Sequence, residues 1–280
     1  MTKETGSKVE KVETAVVEKK ETAIALSEET LYEFKGDIAD ILMPKILAAQ
    51  STSKAVQEGK VQLGQLYRST NNEVLGDKVK PLSIILLHQF KNWIVSKKEG
   101  TRFVFKRFEE HTRANDNLPW NWTDLEGEWK REKNLSFYVL IPSDIERCAE
   151  AKKLSAAARE GGEIPDVDAA LMPCLISFKS TSYKAGQKLV SHFAMASDMK
   201  VPPYGTIFNV AIEKSQNSQG IFQVLTVEKG GKVNKDLYPA CKEWFFKLLK
   251  ANVKIHEEEE SVVETEAAST KFDPMQTEEF

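Results

Sequence analysis

Between Lys80 and Phe108 seven basic residues stand against one acid, Glu99. The bases are Lys80, Lys91, Lys97, Lys98, Arg102, Lys106 and Arg107, and Trp93, Phe103, Phe105 and Phe108 are interleaved among them. Cations follow phosphates, and exposed rings stack on splayed bases at about 1–3 kcal/mol per base. Every base has a π-face, so such a site suits single-stranded nucleic acid of any sequence. Phe103 and Phe105 are two apart and share one strand face, which is most simply core. Strict alternation puts Arg102, Lys106 and Phe108 on the other face. The candidate contacts in this stretch are Lys91, Trp93, Lys97, Lys98, Arg102, Lys106, Arg107 and Phe108.

Two further stretches add to them. "LPWNWTDLEGEW" sets Trp120, Trp122 and Trp129 in a polar run that reads as a loop. Three loop indoles form a stacking or partner surface, or fold back as a lid on the core. Trp120 and Trp122 join the candidates. "FKSTSYKAGQK" contributes Lys179, Tyr183 and Lys184, with Lys188 four residues beyond Lys184 on one helix face. The plain alternative for these lysines is a solvated surface.

Catalytic patterns are missing. The sequence has no phosphate loop, no G-x-G-x-x-G after a strand and no G-x-S-x-G elbow. The double glycine of "EKGGKVNKD" reads as a hairpin exit. The acid pairs in "DVDAAL" and "SDIE" suit helix caps better than a two-metal centre. Cys148, Cys174 and Cys241 are far apart and His192 lies in an apolar helical pattern, so no zinc set is visible. "KEGTRFVFKRF" lacks the first aromatic, the small residue and the last aromatic of the RNA-recognition signature. The sequence implies neither a catalytic residue nor a cofactor.

Strands and helices must position these groups. "VQLGQLYRS" alternates into the turn "TNNE". "VKPLSIILLHQF" is apolar on both faces, as a central strand is. "KNWIVSKKEGTRFVFKRF" is two strands around "KKEG". "LSFYVLIP" and "LMPCLISF" are strands, and "GTIFNVAIEKSQNSQGIFQVLTVEKGG" is the clearest hairpin. Helices are expected at Ser27, in "SDIERCAEAKKLSAAAREGG", in "KSTSYKAGQKLVSHFAMAS" and in "DLYPACKEWFFKLLKA". "ILMPKILAAQ" is apolar and broken by Pro44, so a helix there would stop or kink. The strands are not spaced regularly by helices, which argues against a doubly wound parallel sheet. The expectation is α+β or mainly β: an antiparallel barrel like the oligonucleotide-binding fold, with helical insertions and disordered termini.

Charge divides the 280 residues further. The total is −3, residues 1–30 carry −2 and residues 251–280 carry −7, which leaves +6 on residues 31–250. A basic body with acidic ends suits a polyanion on the body and a separate task for the tail. The organisation is therefore a charged arm over 1–27, a binding domain over 28–254 and an acidic tail over 255–280. No apolar run nears the roughly 18 residues of a membrane helix, and no signal peptide opens the chain. A cytoplasmic protein with no membrane partner is expected.

The last ten residues, "KFDPMQTEEF", add Asp273, Pro274, Glu278, Glu279 and Phe280. With the basic, aromatic body, this ending resembles that of single-stranded DNA-binding proteins of bacteria and their phages. Here Met275, Gln276 and Thr277 interrupt the acids. "MPKILAAQ" and "PPYGTIF" are similar to phage replication proteins over roughly residues 38–250. The resemblance implies non-specific coating of single-stranded DNA in replication or recombination, within the host cytoplasm. Replication or recombination proteins would bind the tail at Asp273, Glu278, Glu279 and Phe280, and a homo-oligomer is possible. The rivals are a strand-annealing protein or transcription co-activator on a similar scaffold, a metal-dependent nuclease, and a pure interaction protein.

Overall fold

The computed structural model describes residues 43–100, 102–159, 172–217 and 220–251. The charged arm, the acidic tail and the helix expected at Ser27 lie outside them. In chain order the elements are β1 (Lys45–Ala48), α1 (Lys54–Gln57), β2 (Leu66–Arg68), β3 (Val74–Gly76), β4 (Leu82–Glu99) and β5 (Arg102–Glu110). Then come α2 (Arg113–Asp116), β6 (Asn121–Asp124), β7 (Gly127–Leu140), α3 (Pro142–Arg159) and β8 (Cys174–Lys179). The last are α4 (Tyr183–Asp198), β9 (Thr206–Asn217), β10 (Gly220–Lys232) and α5 (Tyr238–Ala251).

The strands form one curled, barrel-like sheet in the order β10-β9-β4-β7-β8-β1-β2-β3, which confirms a mainly β, α+β chain. All pairs are antiparallel except β1 with β8. The long strands β4 and β7 pair over most of their length and divide the sheet in two. Along the free edge of β4, β9 takes Leu82–Ile85 and β5 takes Asn92–Glu99. Along the free edge of β7, β8 takes Asn134–Val139 and β6 takes Gly127–Lys130. The first half of β4 and the second half of β7 therefore belong to a body. The other halves, with β5 and β6, form a four-stranded arm.

The body is apolar on both faces because each is covered. Ile84, Leu86, Leu135, Phe137 and Phe178 face α4, which buries Ala185, Gly186 and Leu189. Ile85, Leu87, Tyr138 and Leu140 face the other way, with Leu237, Cys241 and Leu248 of the α5 region and Ile145 of α3. Each fully buried large side chain of this kind contributes about 1.5–3 kcal/mol. An extra residue in β4, between Leu86 and His88, adds local twist.

The sheet does not close by a strand ladder. Gln50, just after β1, bonds the β10 backbone twice at Gln223, each at 3.2 Å. Ser182 Oγ accepts from the N–H of Leu225 at 2.9 Å, and Lys188 Nζ donates to the carbonyl of Val227 at 3.4 Å. Side chains thus occupy three alternate outward positions of an edge strand, where a foreign strand would otherwise pair.

Two expectations need correction. "ILMPKILAAQ" supplies strand β1 in place of a helix broken at Pro44: Lys45–Ala48 pairs with β8 and β2, and this pairing decides the backbone. The tryptophan-rich segment contains a hairpin, β6–β7, with Trp122 opposite Trp129.

Candidate nucleic-acid interface

Cross-strand pairs share a face, so register fixes the arm's two surfaces. Trp93 is opposite Lys133 on β7 and Glu109 on β5; Val95 is opposite Arg131 and Arg107; Lys97 is opposite Trp129. Four of the five tryptophans thus come to one arm, and α2 folds back over it. Trp93 Nε1 donates to Asp116 Oδ1 at 3.1 Å, and Arg131 Nη1 donates to the carbonyl of Asn115 at 2.7 Å. Thr112 caps α2 by accepting from the N–H of Asn115.

Arg131 organises this face. It is buried, lies 4.7 Å from the Trp93 ring and donates from Nη2 to Glu109 Oε2 at 2.6 Å. Its backbone N–H holds the carbonyl of Trp120 at 2.7 Å. The Trp120 ring therefore stands edge-on against Trp93, with centroids 5.3 Å apart, and remains 54% exposed. Lys133 Nζ lies 5.3 Å from the Trp93 ring and 5.6 Å from that of Trp120. Nearer the tip, Trp122 stacks on Trp129 with centroids 5.8 Å apart, and Lys97 and Arg107 lie over Trp129.

The structure sorts the candidate residues. Trp93 is 1% exposed, so its ring braces the surface and does not present itself to a base. Phe108 lands on the face of Phe105, with ring centroids 4.9 Å apart, not opposite it. The cause is an extra β5 residue between Arg107, paired with Val95, and Phe105, paired with Ser96. Arg102 pairs with Glu99 at the start of β5. Lys98 pairs with Glu128 at 2.8 Å, Lys106 with Glu99 at 2.6 Å and Arg107 with Glu109 at 2.7 Å; Lys97 reaches Glu126 at 3.8 Å. Glu126 and Glu128 of the β6–β7 hairpin, and Glu109 just past Arg107, thus offset bases that look unbalanced along the chain. Among the described residues, Lys91 and Lys133 make no such ion pair. Lys179 sits opposite Asn134 on the other face, Lys184 is exposed on α4, and half-buried Tyr183 feels the charge of Asp116. Burial, then that charge, raises the Tyr183 phenol above its ordinary value.

Sequence reasoning missed Arg131, Lys133 and His111. The imidazole of His111 stacks on Trp93 at 5.9 Å, and its Nε2 lies 3.0 Å from Asp116 Oδ1 without the alignment of a hydrogen bond. Burial, then the cations Lys91 and Lys133, lowers its pKa against the opposing pull of Asp116. Burial lowers His88 as well. A histidine with a lowered folded value contributes its stability fully above its unfolded value of about 6.5, and that stability is lost as pH falls below it. Urea midpoints should fall from pH 7.5 to 5.5, and His111→Gln should reduce that fall. An unchanged difference between the two proteins across the range would exclude His111 as its source.

Among the described residues no three His, Cys, Asp or Glu side chains group as metal ligands, and no helix is long and apolar enough to cross a membrane. Cys174 is buried beside Arg68, and burial pushes its thiol up to about 12. Arg68 also holds Asp144 at 2.7 Å.

A family model described as Pam3 phage gp34-like protein matches residues 18–254. The chain belongs to this family. The family match spans both the body and the arm, including every residue of the indole–cation face. It stops short of Asp273–Phe280. No curated protein and no solved structure matches the chain.

Proposed function

We propose that the chain binds single-stranded DNA without sequence preference, on the arm face that carries Trp120, Lys133 and Lys91. The observation that carries this reading is Trp120: a large ring, 54% exposed, braced edge-on by a buried indole and flanked by a cation. Leaving an aromatic exposed and immobile gains nothing in folding, whereas a base stacked on it gains about 1–3 kcal/mol. Lys91 and Lys133 supply phosphate contacts, and the ion-paired bases around them keep the face from being a non-selective polyanion trap. In this reading the curled sheet is an oligonucleotide-binding-like barrel, and the site serves phage DNA replication or recombination. The acidic tail with Asp273, Glu278, Glu279 and Phe280 recruits replication or recombination proteins.

The test is oligo-dT binding followed by tryptophan emission across a salt series, with duplex of equal length as competitor. Binding should favour the single strand and weaken as salt rises. Trp120→Ala should weaken it by about 5- to 150-fold, the loss of one stacked base. Equal affinity for duplex, or an unaltered Trp120→Ala protein, would remove the proposal.

A further inference from the structure

Two exposed features lie at separate places in the fold and complement each other. The first is the tip of the β6–β7 hairpin. Leu125 is fully exposed there, between Asp124 and Glu126, with Glu128 next along the strand. The turn is firmly built: Asp124 Oδ1 accepts from the N–H of Glu126 at 2.8 Å and from Trp129 Nε1 at 2.9 Å. An apolar side chain is thus held out on a knob with three carboxylates, of which Glu128 is paired with Lys98 at 2.8 Å and Glu126 is reached by Lys97 at 3.8 Å. The second is a groove of about 420 Å³ between α4 and the β9–β10 hairpin. Met195, Phe208 and Val227 line it, and Lys188 and Lys229 stand at its rim with one acid, Glu228. Met195 is 62% exposed, and Met199, one turn on, is 67% exposed. Methionine surfaces adapt to the shape of an aliphatic guest.

We propose that the groove receives Leu125 of a second copy of this chain, with Asp124 and Glu126 of the knob against Lys188 and Lys229. Charge supports this match: Asp124 and the 69% exposed Glu126 flank the apolar tip, and the apolar groove has a mainly basic rim. Leu125 is fully exposed in its own chain and so fills no groove there. Each copy carries one knob and one groove. The contact is therefore heterologous and propagates head to tail, with no need to close into a ring. A single leucine and a few charges make a weak pair in free solution. Copies set side by side on one strand would meet at a high effective concentration, which gives cooperative coating. That last step rests on the proposed single-strand binding; the knob-and-groove contact does not.

The deciding experiment is sedimentation velocity on the full chain, without DNA, over a wide concentration range at low salt. The weight-average mass should rise with concentration. Leu125→Asp and Met195→Asp, both at exposed positions, should each remain monomeric. A mixture of the two should give dimers and nothing larger, since one partner keeps its groove and the other its knob. Circular dichroism would verify that both variants are folded. A monomeric wild type, a Leu125→Asp protein that associates like wild type, or a mixture that stays monomeric would each overturn the proposal. Oligo-dT affinity of the single variants on one-site lengths should match wild type, so a failure of DNA binding is scored separately.

Discussion

Arg131→Ala is expected to cost about 3–5 kcal/mol, the range seen when one partner of a buried charge pair is removed. The side chain is 2% exposed, and three separate groups depend on it. Glu109 loses its 2.6 Å partner, the carbonyl of Asn115 loses its 2.7 Å donor, and Trp93 loses the cation 4.7 Å from its ring. Glu109 keeps Arg107, so the carboxylate is not wholly abandoned; the main loss falls on the α2 cover. Arg131→Lys should recover only part of the stability. A single ammonium cannot fork between Glu109 and Asn115 while lying flat on the indole. Urea unfolding with near-ultraviolet circular dichroism of the tryptophans checks both variants. A change under about 1 kcal/mol for the alanine protein would mean that the arm does not rest on Arg131.

Gly186→Val should be the most damaging small substitution on α4. A Cβ at Gly186 would stand 2.7 Å from the Cβ of Phe178 and 3.1 Å from Leu135 Cδ1. Both neighbours are buried, at 0% and 2%, and a Cβ atom cannot swing aside as a side-chain end can. The helix must lift off the sheet, at about 1–3 kcal/mol or more for a branched side chain. Gly186→Ala is the informative control. Alanine regains about 1 kcal/mol of helix propensity, which offsets part of the clash. The expected order of melting temperature is wild type, then alanine, then valine, with valine lower by about 5–10 °C for a chain of this size. If valine melts with wild type, α4 does not pack as closely as its contact with Phe178 requires.

The body was legible in the sequence because its signals are strong and local. Long alternating runs joined by "NSQG" and "KKEG" became β9–β10 and β4–β5, and the doubly apolar "SIILL" became the central strand. The arm was harder to read because its inward positions do not look inward. Along β7, Trp129, Arg131 and Lys133 occupy the same side as Leu135, Phe137 and Val139, so two charges hide a period of two. A better signal was present: Trp122 and Trp129 flank "TDLEGE" at equal distances, as opposed residues of a hairpin must. Phe108 was misplaced for another reason. A single extra residue reverses every side chain beyond it, and alternation alone cannot locate that residue. The charge balance misled in the same way. Glu126 and Glu128 come from later in the chain, and only strand pairing brings them to Lys97 and Lys98; Glu109 stands two residues beyond Arg107, just past the Lys80–Phe108 stretch.

The seam between Gln50 and Gln223 has a consequence for the order of events during synthesis. Its partners are 173 residues apart, and β1 joins the sheet ladder by pairing with β8. The first three strands therefore wait, unpaired with the main sheet, until the ribosome has released residues beyond 179. The edge beside β10 is sealed later still. Non-local closure of this kind slows folding. Pulse-labelled amides of β1 to β3 should accordingly gain protection after those of the β4–β5 hairpin, whose strands are neighbours in the chain.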